Sequence, residues 1–571
     1  MRIYQVDVKN FRGIKKASFK FDGPLVCLIG PGDTTKSTIL DAIEYALSPN
    51  WFIPIDDSDF TDCDSSNNIE ITTTVGPIPE ELMSASKYGL HLRGWNIARK
   101  ELHDEPKPNE GDIYVLSIHL VIDNLLTPEW LVVTQRNPEG AHISYKDRQK
   151  FGVSRIGNNI DNELAWVRGS SLLRLSKDKH ETEKLLIQAY RQLKGLIPPE
   201  SFISLKEGVE RAKTSGNVYG INTNDFNPNV DPRVLKGSSS TISLHDGKIP
   251  FRRMGLGTCR LMAIGLQLEC IKLGGILLID EIEQALEPHR LKHLLRTLTK
   301  NMNTDVYGQI FITTHSPATL EELGADPIYC VHYNKQNKEP ELEKLRHDAQ
   351  GTVRRTPEAF LSPKVIICEG TTEIGLLRAF EKKIIERNND TFSFAYNKVT
   401  IVDGEGTSAS QRAFDLATHK YKTCLFADSD RRQEWKWSEI NLIEVGVEIV
   451  CWQDNYNTEM QLFNDIPKEK IVNILNIAME ENGIEAQSIL QSINSGLATP
   501  LVEINQIPQY GDLPNLRQKI AQLASKKEWF KTVSAGEKLG EFLFGEIFES
   551  VKTTEFYKRF ESMLNWAKNE R

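Results

Sequence analysis

Five short runs constrain the fold more than any other feature of the chain: PLVCLI (24–29), ILLI (276–279), QIFIT (309–313), VIIC (365–368) and CLFA (424–427). Each is apolar almost throughout, so neither face suits water, and such a strand belongs inside a sheet covered on both sides. Helix-patterned segments lie between them, beginning with TKSTILDAIEYAL after the first run. Alternating strands and helices predict an α/β chain with parallel sheets. Every run gives way to polar residues at its end: a glycine-rich loop, Asp280-Glu281, His315, Glu369 and Asp428. The carboxyl ends of strands in α/β sheets are where ligands bind.

At 571 residues the chain exceeds what one hydrophobic core organises, so at least two domains are expected. Alternating runs at 69–75, 112–123 and 129–137 predict a largely antiparallel sheet beside the first parallel one. From 181 to 212 the pattern turns helical, and a Gly/Asn/Pro/Ser-rich stretch succeeds it. A net charge of −9 excludes a uniformly basic nucleic-acid coat but leaves room for a local groove and a carboxylate-rich metal site. No apolar run approaches a membrane span, and the opening MRIYQVDVKNFRG is charged and alternating. The cysteines form no C-x-x-C pair, and Cys27, Cys368, Cys424 and Cys451 lie in or beside strand-like runs. A cytoplasmic protein with buried, reduced thiols is expected.

The segment Gly30-Pro31-Gly32-Asp33-Thr34-Thr35-Lys36-Ser37 fits G-x-x-x-x-G-K-[ST], except that Thr35 stands where the second glycine belongs. Amides at the loop and helix start face phosphate, and Lys36 reaches its outer oxygens. Ser37, with Thr38 beside it, opens the helix with a hydroxyl that can ligate Mg²⁺. Thr35 puts a side chain where the backbone should approach closely, which separates ATP binding from ATP turnover. Asp280 is placed to hold Mg²⁺ and Glu281 to polarise an attacking water, the bland alternative being a strand with a capping acid.

Lys36, the glycines of Met254-Gly255-Leu256-Gly257-Thr258-Cys259-Arg260, Asp280-Glu281 and His315 come in the order of the ABC/SMC-like ATPases, which the first half resembles. The resemblance implies that His315 senses the γ-phosphate. It further implies that the Gly257 loop meets nucleotide held by a second copy, hence at least a homodimer. The opening NFRGIKKASFKF shares this likeness, which places Arg12 near nucleotide.

In the second half Glu369 ends a strand and Glu373 falls four residues later in a helix, so both can face one edge of the sheet. Asp428 and Asp430 come after the next apolar run as D-x-D. Carboxylates gathered this way raise one another's proton affinity unless a cation such as Mg²⁺ or Mn²⁺ joins them. Read singly, each pair is a set of solvated acids at a turn. The E-G-x-x-E and D-x-D pair resembles a Toprim domain, with Asp403 and Glu405 of IVDGEGT as supporting acids.

An ABC-type head, a short helical insert and a Toprim domain in one chain resemble the OLD nucleases. That likeness implies that Glu459 completes a two-metal site. It also implies that Lys531, in Trp529-Phe530-Lys531 with Glu537 nearby, stabilises phosphate charge, a role for which Lys526, Lys527 and Lys538 compete. The division expected is an ATPase head in two parts, 1–160 and 241–360, a helical dimerisation insert at 161–240, and a Toprim domain with a helical extension at 361–571.

The resemblance implies a Mg²⁺- or Mn²⁺-dependent DNA endonuclease gated by ATP. It implies further a role in anti-phage defence, alone, beside a helicase-like protein as in Gabija systems, or with a retron reverse transcriptase and its DNA/RNA. The competing reading is an SMC-like clamp that grips DNA on ATP binding and cuts nothing.

Overall fold

The computed structural model describes residues 1–156, 160–166, 170–175, 192, 243–271, 274–302, 308–388, 393–453, 455–495, 497 and 499–569. Of the expected insert at 161–240, two short helices, Ile160–Glu163 and Ser171–Leu175, supply elements of the fold, and 167–169, 176–191 and 193–240 lie outside the described residues.

The first parallel run, Leu25–Ile29, is a central strand of a six-stranded sheet. In order across the sheet lie Val153–Ile156, Ile276–Ile279, Gln309–Thr313, Leu25–Ile29, Ile328–Asn334 and Glu339–Lys344, all parallel except the last. The alternation hidden inside the apolar runs now has a physical meaning. Val26, Leu28, Ile276, Leu278 and Phe311 pack on one face with helix Lys36–Leu47 and the antiparallel sheet. Leu25, Cys27, Ile29, Leu277, Ile279, Ile310 and Ile312 pack on the other. The antiparallel sheet has eight strands, three of them the alternating runs, now Ile69–Gly76, Asp112–Ile122 and Pro128–Val133. The last of these stops at Val133, short of the expected 137.

The second sheet has four parallel strands in the order Val399–Asp403, Lys364–Cys368, Lys422–Ala427, Glu448–Cys451. Its first strand in sequence therefore sits between the second and the third. The chain leaves the sheet in opposite directions on either side of that seam, which opens a crevice at the carboxyl ends of Lys364–Cys368 and Lys422–Ala427.

Residue 360 separates two sheets but not two cores. Val365, Ile367, Leu425 and Ala427 belong to the same buried cluster as Cys27, Ile279 and Ile312. Tyr421, buried in this seam, donates its hydroxyl to the Phe360 carbonyl at 2.8 Å and lies 3.3 Å from Cys330 Sγ. A joint this apolar resembles a domain interior more than a hinge. Ile366, Cys368, Cys424 and Phe426 face the opposite way, into a third cluster built with the C-terminal helices. Among the described residues no helix is long and apolar enough to cross a membrane. The fold is α/β, a six-stranded and an eight-stranded sheet packed in one head, followed by a second parallel-sheet unit.

Candidate functional site

Two polar sites form at the carboxyl ends of these sheets. At the first, Gly30 adopts φ 146°, and a Cβ there would lie 2.7 Å from the Val331 carbonyl oxygen, so the turn out of the strand requires glycine. Thr35 sits at φ 66°, ψ 14°, the left-handed conformation that the missing glycine would adopt without strain. Its hydroxyl is buried without a hydrogen-bond partner. Gly32 at the loop tip is exposed, and nothing crowds it.

Lys36 folds back over the loop, donating to the carbonyls of Gly30 at 3.0 Å and Pro31 at 2.7 Å. Burial lowers its pKa to about 8, against the raising effect of Asp280, Asp33, Glu281 and Glu283. Ser37 opens the helix, with Thr38 behind it, and its hydroxyl lies 3.1 Å from Asp280 Oδ1. The same oxygen accepts from Thr313 Oγ1 at 2.5 Å, and Oδ2 accepts from Arg155 Nη2 at 3.1 Å.

Glu281 comes next in a left-handed turn, φ 46°, with its amide bonded to Thr313 Oγ1 at 2.8 Å. His315 is exposed, and its amide donates to Glu283 Oε1 at 2.6 Å. Burial and Lys36 lower its pKa, in that order. The structure thus gathers Lys36, Ser37, Asp280, Glu281 and His315 about one loop. Gly257 is packed elsewhere, against the Ala285 carbonyl just beyond the Asp-Glu turn. Arg12 pairs with Asp41 and Asp59 and lines a cavity of about 550 Å³ with Gly13 and Phe60.

The second site lies in the crevice between Lys364–Cys368 and Lys422–Ala427. Glu369 Oε2 accepts from the Asp428 amide at 2.9 Å, and Glu373 Oε2 accepts from the Gly370 amide at 3.0 Å. Glu459 lies in the first turn of helix Thr458–Asp465, and both its carboxylate oxygens are buried without a hydrogen bond. Burial raises the pKa of Glu369, Asp430 and Glu459, and that of Asp428 well above the ordinary range, with Glu373 and Glu369 the next causes for Asp428.

Lys531 supplies the counter-charge. Burial opposes its ammonium, but Glu459, Glu373, Asp428 and Glu369 outweigh burial and raise its pKa. The distant lysine arrives there because helix Val533–Glu541 crosses Thr371–Asn388 at two glycines. A Cβ on Gly536 would come 3.1 Å from Gly375 Cα. Thr371 and Thr372 then donate to the Lys531 and Phe530 carbonyls at 3.0 and 2.8 Å.

Two of the three competing lysines point elsewhere, Lys527 to Ser492 and Lys538 to Glu481, and Glu537 pairs with Arg378. Trp529 is core. Asp403 and Glu405 stand at the edge: Glu405 is paired with Arg412, and the Asp403 carbonyl accepts from the same arginine at 2.5 Å.

Among the described residues no three His, Cys, Asp or Glu side chains already converge on one point that could hold an ion. Backbone amides and Thr458 engage Glu369, Glu373 and Asp428 instead. The donor set nonetheless suits a hard divalent cation, being all carboxylate oxygen, and the two orphaned oxygens of Glu459 lack a hydrogen-bond partner. Thr458 was not expected from sequence. Its hydroxyl donates to Glu373 Oε1 at 2.6 Å, lies 3.2 Å from Asp428 Oδ1, and accepts from Trp452 Nε1 at 2.9 Å. Its only sequence signal is a place at the start of the Glu459 helix.

Residues 1–130 match the family described as AAA ATPase domain, and residues 152–321 match "AAA domain, putative AbiEii toxin, Type IV TA system". A curated relative, the OLD nuclease of Thermus scotoductus (strain ATCC 700910 / SA-01), is 25% identical over 355 residues, 58% of this chain and 62% of the relative. The match thus spans less than two thirds of that relative's length. Similar solved structures include an SMC head bound to the C-winged helix domain of ScpA, 14% identical over 60% of this chain and 97% of the other, with a TM-score of 0.34. The SMC head domain from Thermotoga maritima is 12% identical over 61% and 100%, with a TM-score of 0.30. The recombination mediator protein RecF, solved with ATPrS, is 14% identical over 60% and 98%, with a TM-score of 0.31. The chain is thus similar to two ATPase families along its first part and to an OLD nuclease over 355 residues.

Proposed function

We propose that the chain is an ATP-binding, Mg²⁺- or Mn²⁺-dependent DNA endonuclease, with a Toprim-type site at residues 361–571 gated by the ABC-type head. One observation carries the reading: Glu459 is buried with neither carboxylate oxygen hydrogen-bonded by another residue, among Glu373, Asp428 and Asp430 and opposite Lys531. An ionised carboxylate left so costs several kcal/mol, which a bound cation offsets.

Glu369, Glu373, Asp428, Asp430 and Glu459 would hold the metal, which supplies an activated water and a stabilised leaving oxygen in phosphodiester cleavage. Thr458 fixes the directions of Glu373 and Asp428. Lys531 offers its ammonium to the phosphate oxygens as charge builds on them. In the head, Gly30, Gly32, Lys36, Ser37 and Thr38 cradle nucleotide phosphates, Asp280 holds the nucleotide's Mg²⁺, Glu281 orients water and His315 faces the γ-phosphate. The Gly257 loop would complete that site in a second copy. The curated relative's name supports nuclease chemistry, and DNA as substrate and a place in phage defence extend from it.

Plasmid cleavage with Mg²⁺ or Mn²⁺ tests this directly. The parent cuts, and Glu369→Ala and Asp428→Ala do not. Metal-independent DNA retention on ATP binding, without cutting, would replace the nuclease by a clamp.

A further inference from the structure

Arg155 lies on the strand Val153–Ile156, parallel to Ile276–Ile279 and in register with Leu278, two residues before Asp280. Both terminal nitrogens of its planar fork are engaged. One nitrogen, Nη1, pairs with Asp41 and lies 3.1 Å from Glu44 Oε2, both on the helix that Lys36 and Ser37 open. The other, Nη2, meets Asp280 Oδ2 at 3.1 Å. Asp41 is shared in turn with Arg12, which also pairs with Asp59 at 2.6 Å. An alternating chain of charges, Asp59, Arg12, Asp41, Arg155, Asp280, therefore runs from the Arg12 cavity to the carboxylate beside Ser37. Its inner members are sheltered, with Asp41, Arg155 and Asp280 side chains 14%, 15% and 22% exposed.

Enclosed ion pairs add little net stability compared with apolar packing, so they are weak as fold-holding devices and better as devices that fix direction. Asp280 has two oxygens. Thr313 and Ser37 address Oδ1, and Arg155 addresses Oδ2. Without the guanidinium Oδ2 is no longer held, and of the ties between helix Lys36–Leu47 and Asp280 the Ser37 hydroxyl remains.

We propose that Arg155 is a positioning residue for the nucleotide's Mg²⁺. It aims Asp280 at the metal beside Ser37 and, through Asp41, links that aim to Arg12 and the cavity that Arg12 lines. The inference rests on reading the Gly30–Ser37 loop as a nucleotide site. It concerns Mg²⁺-dependent affinity, whereas that reading concerns nucleotide binding at all.

The test is titration of the full chain with a fluorescent ATP analogue, with and without Mg²⁺, together with the Mg²⁺ concentration giving half-maximal phosphate release. Arg155→Met is expected to bind Mg²⁺-free analogue within about twofold of the parent and to need roughly 10- to 100-fold more Mg²⁺, the usual effect of losing a group that orients a metal ligand. Arg155→Lys does not restore the parent value, because one ammonium cannot span Asp41 and Asp280. Asp41→Asn, which keeps the Arg155–Asp280 pair but weakens the pairs of Asp41 with both Arg155 and Arg12, shifts the requirement in the same direction and serves if Arg155→Met fails to fold. An unchanged Mg²⁺ requirement in the folded variants, or full rescue by lysine, overturns the proposal. A parent chain that binds no analogue, with or without Mg²⁺, overturns the nucleotide reading itself and takes this inference with it.

Discussion

Thr458 donates its hydroxyl to Glu373 Oε1 at 2.6 Å, tying the helix that carries Glu459 to the helix that carries Glu373. Its amide also donates to Asp428 Oδ1 at 3.0 Å. One residue therefore sets the direction of acids from two other elements. Replacing the hydroxyl by a methyl keeps volume and the amide bond but frees Glu373. Thr458→Val is expected to cut plasmid roughly 10- to 100-fold more slowly and to need more metal, while Thr458→Ser stays close to the parent. Cleavage rates against Mn²⁺ concentration decide it, and a valine variant indistinguishable from the parent would remove Thr458 from the site.

The pKa directions give a second expectation, in stability rather than rate. Burial raises Glu459 above its ordinary value of 4.5, and Glu369, Asp428 and Asp430 move the same way. As pH rises from about 4 towards those raised values, unfolded carboxylates release protons that the folded ones keep, so stability falls through that window. A divalent cation reverses the loss by favouring the ionised forms. Mg²⁺ or Mn²⁺ should therefore raise Tm more at pH 8 than at pH 5. Glu459→Gln should raise the metal-free Tm at pH 8 and shrink the gain from metal. Thermal unfolding at the two pH values checks both, and equal gains at pH 5 and pH 8 would contradict a site of buried, proton-holding acids.

How much of this was legible from residues alone depends on how far apart the partners lie. Apolar runs declared their sheets because a strand covered twice has no polar face, and the acids were findable because strand ends project them to one edge. Lys422–Ala427 contains the apolar run 424–427 and ends where that run ends. Thr458 and Arg155 were not legible, since a threonine at a helix start reads as a cap and an arginine in VSRI reads as surface. Their roles come from pairings across 85 and 125 residues. The core shared across residue 360 was hidden for the same reason: periodicity shows that a face is buried, not what buries it. Lys531 needed the likeness to a family, because the crossing of Gly375 and Gly536 that delivers it leaves no local pattern.

Thr35 supports a third expectation. A β-branched residue in the left-handed region carries about 1–2 kcal/mol of strain, and its hydroxyl is orphaned as well. Thr35→Gly removes the side chain from the face that meets phosphate, and several-fold faster phosphate release is expected. Thr35→Val keeps the branch and loses only the hydroxyl, so it should turn over no faster than the parent. If valine accelerates release as much as glycine does, the orphaned hydroxyl rather than the backbone is the brake.

Lys36 connects the phosphate loop to a measurement of protons. Burial lowers its pKa from 10.5 to about 8. An unfolded lysine keeps its proton between those values while the folded one releases it, so metal- and nucleotide-free stability rises with pH through that window. Nucleotide phosphate brings negative charge to the ammonium and returns the proton. Calorimetric ATP binding in buffers of different ionisation enthalpy should then show little proton uptake at pH 7 and uptake of most of a proton per nucleotide at pH 8.5. Lys36→Arg supplies a cation that never titrates in this range and should bind without that uptake. The same uptake in the arginine variant would assign the proton to another group, with His315 the first to examine, since burial and Lys36 hold its pKa down as well.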